Sequence, residues 1–207
     1  MIRKFLVLSA FLSLSFSTYA GLWVEPLVGY KIASVDFNIY NAGASLNGDY
    51  EYKFVGHQFG LKLGYAAPIG IVIGADGRMG SFESEQESGV FALQNGKVDN
   101  DDTSLGAFIA ITAVPFLNFW GTYKFSYESE ETTGANVGDI SAGDGYGFGV
   151  GFTGIPFLSL NIEMNKITID ETRDVSAGTV TKYPSSNTSQ QDKTEYVFSI
   201  SAPFDLF

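Results

Sequence analysis

Large hydrophobic residues recur at every second position through much of this chain. The pattern is clearest on the two sides of one turn. Tyr146, Phe148, Val150 and Phe152 alternate with Gly145, Gly147, Gly149 and Gly151; beyond Gly154-Ile155-Pro156, Leu158, Leu160, Ile162 and Met164 alternate with Ser159, Asn161, Glu163 and Asn165. Period two is the signature of a β-strand with one apolar and one polar face. The hairpin it predicts must lie between a greasy phase and a polar one, and the greasy phase is read as lipid.

A second regularity counts the strands. Proline followed by Ile or Phe recurs at Pro68-Ile69, Pro115-Phe116, Pro156-Phe157 and Pro203-Phe204, at intervals of 47, 41 and 47 residues. Each interval holds an alternating run, a long polar acidic stretch and a second alternating run. Proline lacks the amide donor that a strand interior needs, so its recurrence marks turns or strand ends along one rim. With the pair that precedes Pro68, the total is eight strands.

The first, about Leu22 to Ile32, puts Val24, Val28 and Tyr30 on the apolar face and Glu25 and Lys31 on the polar one. The second, about Val55 to Tyr65, turns His57, Phe59, Leu61 and Leu63 outward and Lys62 inward, and the third turns Ile71, Ile73 and Met79 outward and Asp76 and Arg78 inward. The fourth, about Ser104 to Val114, is apolar on both faces, so its phase is open. In the fifth, Phe119, Tyr123, Phe125 and Tyr127 are expected outside, with Trp120, Thr122, Lys124 and Ser126 inside. The hairpin above supplies the sixth and seventh. The eighth, about Thr194 to Ala202, turns Tyr196, Phe198 and Ile200 outward. Long connections are expected over Ala33–Phe54, Phe82–Thr103, Glu128–Asp144 and Asp170–Lys193, all at the rim opposite the prolines. Connections of such length are unusual inside a compact soluble domain.

Composition turns strands into a membrane barrel. Hydrophobic residues make up 45% of the 207 and aromatics 15%, with 24 glycines, yet beyond the N-terminus no long apolar run exists. Only helices and closed barrels satisfy every backbone group in a bilayer, and without helices the barrel remains. Residues 1–20 read as a signal peptide: Arg3 and Lys4, an apolar stretch from Phe5 to Phe16, and small residues ending at Ala20. The barrel is then residues 21–207. Absence of cysteine removes any lipoprotein anchor at the cleavage site and any disulfide framework. A secreted soluble barrel of the lipocalin type would keep hydrophobes inside and carry Lys, Glu and Thr outside; here the polar face is largely glycine with isolated charges.

The signal peptide, eight alternating segments, glycine-rich polar face and aromatic terminus (Phe198, Ile200, Phe207) resemble the small outer-membrane barrel family of Gram-negative bacteria, the OmpA-barrel and OmpX type. The likeness is architectural and spans the whole mature chain. Pro203 and Asp205 depart from the family's pattern, in which alternation runs unbroken to the final aromatic. The resemblance implies export to the periplasm, insertion by the barrel-assembly machinery, and a monomer in contact with outer-membrane lipids and lipopolysaccharide.

If the phases hold, the interior gathers Glu25, Asp76 and Glu163 with Lys31, Lys62, Arg78 and Lys124. An eight-stranded barrel is just wide enough for side chains to fill it, so these charges are expected to form ion pairs that plug the lumen or, in the alternative, gate a narrow channel for ions or small solutes. The formal charge of −11 falls to −13 once Arg3 and Lys4 are removed, and most acidic residues fall in the long connections. That argues against nucleic acid or other polyanions as surface partners. Asp99-Asn100-Asp101-Asp102 has the look of a calcium loop, but Ser104 and Ala110 stand where an EF-hand needs Gly and Glu, so no metal site is expected. Gly149-Val150-Gly151-Phe152-Thr153-Gly154 matches the dinucleotide fingerprint, yet Ile155-Pro156 follows where a helix should begin. His57, the only histidine, has no nucleophile beside it. The sequence therefore predicts a non-enzymatic barrel without cofactor, with a structural or surface-interaction role. A channel is the alternative, and a lipid-modifying enzyme the more remote one.

Overall fold

The computed structural model describes residues 20–39, 48–88, 97–134, 136–183 and 191–206. The segment expected to be the signal peptide, except Ala20, and the terminal Phe207 lie outside these residues. Ten strands form one antiparallel sheet: β1 (Gly21–Ile39), β2 (Gly48–Ala67), β3 (Ile71–Ser88), β4 (Val98–Val114), β5 (Leu117–Glu131), β6 (Ile140–Ile155), β7 (Leu158–Asp174), β8 (Thr179–Lys182), β9 (Gln191–Ser201) and β10 (Phe204–Leu206). β1 to β7 pair in sequence order, and β9 closes the cylinder by pairing with both β7 and β1. β10 continues the β9 stave, and β8 is a short flap on β7. The result is an eight-stave barrel. Following partners around the wall from Val24 through Leu63, Ala75, Ala107, Tyr123, Tyr146, Lys166 and Thr194 returns to Ser34, ten residues further along β1. Such a stagger over eight staves tilts the strands by roughly 35–45°.

The alternating faces separate as a bilayer demands. Phe59, Ile73, Ile109, Phe148, Ile162 and Phe198 stand exposed on the outer wall, while their sequence neighbours point into the lumen. Register resolves the open phase of β4: Phe108 and Ala110 point inward and pack with Ala66, Val72 and Trp120, leaving Leu105, Ile109 and Ile111 outside.

Two expectations are corrected. First, most strands run well past ten residues and take up much of each long connection: β2 reaches Gly48, β3 reaches Ser88 and β7 reaches Asp174. Beyond the bilayer the polarity inverts. Val35, Phe82, Ile167 and Ile169 are buried inside, whereas Lys53, Asp101, Thr103 and Glu130 face out. Water surrounds the wall there, so the apolar residues turn to the interior as in a soluble barrel. Second, Tyr127 is inside, 3% exposed. The ladder shifts between Leu105 and Gly106, which pair with Ser126 and Lys124, so Phe125 is an extra unpaired residue. That bulge reverses the parity of everything after it on β5. Of the two positions expected for the recurring prolines, Pro203 takes the strand end: it stands in the break between β9, which ends at Ser201, and β10, which begins at Phe204. The register of β1 against β9 continues without slip onto β10, since Leu27 faces Ser201 and Val24 faces Phe204. Ala202 donates its N–H to the Pro26 carbonyl. Hydrogen bonds alternate sides along an antiparallel strand, so an amide at 203 would point toward the end of β7, where the ladder has stopped at Ser159. The proline therefore costs no ladder bond.

The other three prolines do form the near-rim turns. Phe116 and Phe157 follow them with φ of 64°, a left-handed conformation at a cost of about 1 kcal/mol for a residue with a Cβ. Both rings are exposed at the rim of the apolar band, where aromatic side chains sit at headgroup level.

The position of the lipid boundary can be tested by charge. Ile162→Arg, within the apolar band, should lower the unfolding free energy by about 2–4 kcal/mol in lipid. Asp101→Arg, on the water-facing wall across from Glu130, should leave it unchanged or slightly raised, as measured by urea titration in vesicles.

Candidate functional site

The lumen is filled in layers. At the near end Ala66, Val72, Phe108, Ala110 and Trp120 make an apolar floor, with Trp23 packed against it. Above lies an ionic layer centred on Arg78. Its guanidinium donates Nε and Nη2 to Asp76 at 2.9 and 2.6 Å, and Nη1 and Nη2 to Glu163 at 2.7 and 2.8 Å. The planar fork of arginine suits this double bidentate grip, which a lysine would not reproduce. Trp120 donates its indole N–H to Glu163 at 2.8 Å. Lys62 Nζ rests 3.9 Å from the centre of the Trp120 ring and 3.9 Å from Glu25. A ladder of short side chains completes this layer: Ser159 donates to Asn161, Asn161 to Ser201, and Ser201 to Glu25.

A second ionic layer lies nearer the outer end. Lys31 donates to both oxygens of Asp102 at 2.5 Å. Lys193 donates to the Tyr127 hydroxyl at 2.7 Å and lies 3.6 Å from Glu195 and 3.9 Å from Asp102. Glu195 accepts from Asn165 at 3.1 Å and stands 3.9 Å from Lys124, which rises from the level of Arg78 and joins the layers. Among the described residues, three buried polar atoms, Gln58 Nε2, Thr122 Oγ1 and Asn165 Oδ1, have no hydrogen-bond partner.

All seven side chains singled out from the sequence, Glu25, Lys31, Lys62, Asp76, Arg78, Lys124 and Glu163, are buried in this interior. Sequence reasoning missed three more. By sequence Asp102 falls in an acidic connection, Lys193 at the end of another and Glu195 on the last strand; all three are buried here. The signal existed: continuing the alternation of Tyr196 and Phe198 outward by two steps places Glu195 and Lys193 on the inner face. With them, the described interior holds five acids and five bases and is electrically neutral. Asp99 and Asp101, by contrast, face away from the lumen on the alternate side of β4. His57 is exposed on the outer wall, its ring edge-on to Phe59.

Glycine provides the room for this packing. A Cβ on Gly149 would overlap the Trp120 indole, and one on Gly147 would overlap the Asn165 amide. The inner face of β6 is glycine because its neighbours need the space.

Above the second layer the lumen opens into a vestibule of about 340 Å³ at the far end, lined by Tyr52, Phe54, Phe82, Tyr127 and Tyr183 with uncharged polar residues between them. Lys193 is its floor, set 4.5 Å from the centre of the Phe82 ring and 5.5 Å from that of Phe54.

An apolar outer band, a closed antiparallel cylinder and a charge-neutral filled lumen define a small eight-stranded outer-membrane β-barrel. Solved structures agree. AlkL, determined by solid-state NMR in DMPC bilayers, has a TM-score of 0.52 at 15% identity, over 90% of this chain and 91% of AlkL. Ail, the attachment invasion locus protein of Yersinia pestis, has a TM-score of 0.50 at 11% identity, over 90% of this chain and all of Ail. At these identities the likeness is one of fold. No protein-family model matches the chain, and no curated protein matches it in sequence.

Two experiments address the plug. Arg78→Met leaves Asp76 and Glu163 buried without their cation and should cost about 3–5 kcal/mol of stability, read from the denaturant midpoint. Lys31→Met and Asp102→Leu should each destabilise, while the double variant, which restores neutrality, should recover most of the loss in a double-mutant cycle.

Proposed function

We propose that this chain is exported by way of a cleaved signal at residues 1–20, is inserted by the barrel-assembly machinery into the outer membrane of a Gram-negative bacterium, and serves there as a monomeric, non-enzymatic barrel. Its role is structural or one of surface interaction, through the acidic strands that stand above the bilayer. The observation that carries this reading is the closed waist. Arg78, Glu163, Lys62 and Trp120 meet across the lumen at hydrogen-bonding or ring-contact distance, and the second ionic layer lies directly above. An open pore would need water where these side chains touch.

The outer end supports the second half of the reading. Beyond the bilayer, Glu85, Asp101, Glu130 and Asp170 project from the wall, a field that repels polyanions and favours basic partners or lipopolysaccharide bridged by divalent cations. No described cluster of side chains makes a nucleophile with an adjacent base, and His57 faces the bilayer side of the wall, away from the lumen.

Bilayer recording tests the proposal. The chain, refolded and verified by a heat-modifiable gel shift, should give no stable single-channel steps above the lipid baseline at moderate voltage. A regular, large conductance would establish the channel function instead.

A further inference from the structure

The outer vestibule sorts its side chains in a way that membrane insertion does not require. Along the extended strands, four inward uncharged residues are flanked by outward charged ones: Ser84 between Glu83 and Glu85, Asn100 between Asp99 and Asp101, Ser129 between Glu128 and Glu130, and Thr172 between Glu171 and Arg173. Gln191 and Ser141 add a further amide and hydroxyl to the lining. The walls are acidic outside and uncharged inside. Among the described lining residues only Lys193 carries a charge, and Glu195 and Asp102 already offset it at 3.6 and 3.9 Å.

Between these polar groups stand aromatic rings on rigid strands. Phe54 packs edge-on to Phe82, with centroids 5.2 Å apart, and Tyr52 tilts against Phe54 at 6.5 Å. Tyr183 closes the side nearest β8. Tyr52, Phe54 and Tyr183 are only half-buried, so a concave cavity holds aromatic surface in contact with water. Among the described residues, the side chains of Ser129, Ser141, Thr172 and Gln191 form no hydrogen bond within the protein, although all are half-buried.

We propose that this vestibule binds a neutral saccharide. The ligand class follows by elimination. A hydrocarbon would strip water from the free hydroxyl and amide groups without replacing their hydrogen bonds, at about 1–3 kcal/mol for each group. Among the described residues a cation meets no free inward carboxylate, and it faces the Lys193 ammonium. An anion must pass the acidic outer wall to reach a lysine whose charge is already offset. A neutral sugar ring presents C–H faces to aromatic rings and hydroxyls to uncharged donors and acceptors, which is the mixture this lining offers. A volume of about 340 Å³ lies at the lower end of ligand pockets and suits one or two sugar rings. The inference deepens the surface-interaction reading, naming what the outer end would take.

The test is a titration of the full barrel, refolded in a zwitterionic detergent that carries no sugar headgroup, with glucose, N-acetylglucosamine and maltose, followed by amide NMR shifts. The expected result is a saturable shift for at least one of them, in the millimolar range and confined to the vestibule strands around Phe54, Ser129 and Thr172. Tyr183→Ala should weaken that binding at least fivefold, and so should Ser129→Ala with Thr172→Val, a pair that keeps every aromatic ring in place. Phe148→Ala on the outer wall should leave it unchanged, and heat-modifiable migration certifies that each variant is folded. Absence of a saturable shift with all three sugars would overturn the proposal, as would tighter binding of toluene or of a sulfated sugar at the same residues. Because the measurement is made in detergent and does not involve conductance, its failure leaves the closed-waist reading intact, and the reverse holds as well.

Discussion

Among the described residues, ten charged side chains share one lumen whose walls exclude bulk water, and the rest of the molecule depends on their charges cancelling. A buried ion without a partner costs several kcal/mol even after relaxation. Five such deficits would exceed the whole stability of an ordinary domain. Arg78 answers this by serving two carboxylates at once, and Lys124 by standing between the layers. Neutrality alone would not suffice: Trp120, Tyr127 and the Ser159–Asn161–Ser201 ladder take up hydrogen bonds that the charges leave over. The glycines of β6 belong to the same solution, since a Cβ on Gly149 or Gly147 would displace a member of the network.

The second constraint is the change of solvent along each strand. Within the bilayer the wall must be apolar outside, and the lumen takes whatever is polar. A few residues further out the same strand meets water, and Val35, Phe82, Ile167 and Ile169 move inside while acids move out. The barrel is thus two barrels end to end, one built for lipid and one for water, sharing continuous hydrogen-bonded ladders. Their junction coincides with the second ionic layer, where Lys31, Asp102 and Lys193 close the lumen beneath an aromatic vestibule.

Local irregularities serve this arrangement. The extra residue at Phe125 keeps its own ring on the outer wall yet swings Tyr127 inward, where its hydroxyl accepts from Lys193. Without that bulge the alternation of β5 would turn Tyr127 to the outer wall and leave Lys193 without its shortest hydrogen bond. Pro203 is tolerated for a different reason: it occupies a ladder position whose amide has no strand to face.

Period two determined most of what the sequence could determine. Where one face is glycine or charge and the other is Leu, Phe or Ile, as in β1, β6 and β7, alternation alone assigns inside and outside, because only one assignment keeps hydrocarbon against hydrocarbon. The eight staves and the proline rim were legible for the same reason, and so was the interior placement of Glu25, Asp76, Arg78 and Glu163. Tertiary structure decided the rest. Which acid meets which base depends on the ten-residue stagger that brings β3 across to β7 and β1 across to β4, contacts between residues 85 and 71 apart in sequence. Parity after a bulge, as at Tyr127, follows from a pairing shift that leaves no mark in the hydrophobic pattern. Asp102 lies where acids and amides occupy both faces, so amphipathic contrast vanishes and only the closed cylinder shows that it turns inward, toward Lys31 and Lys193.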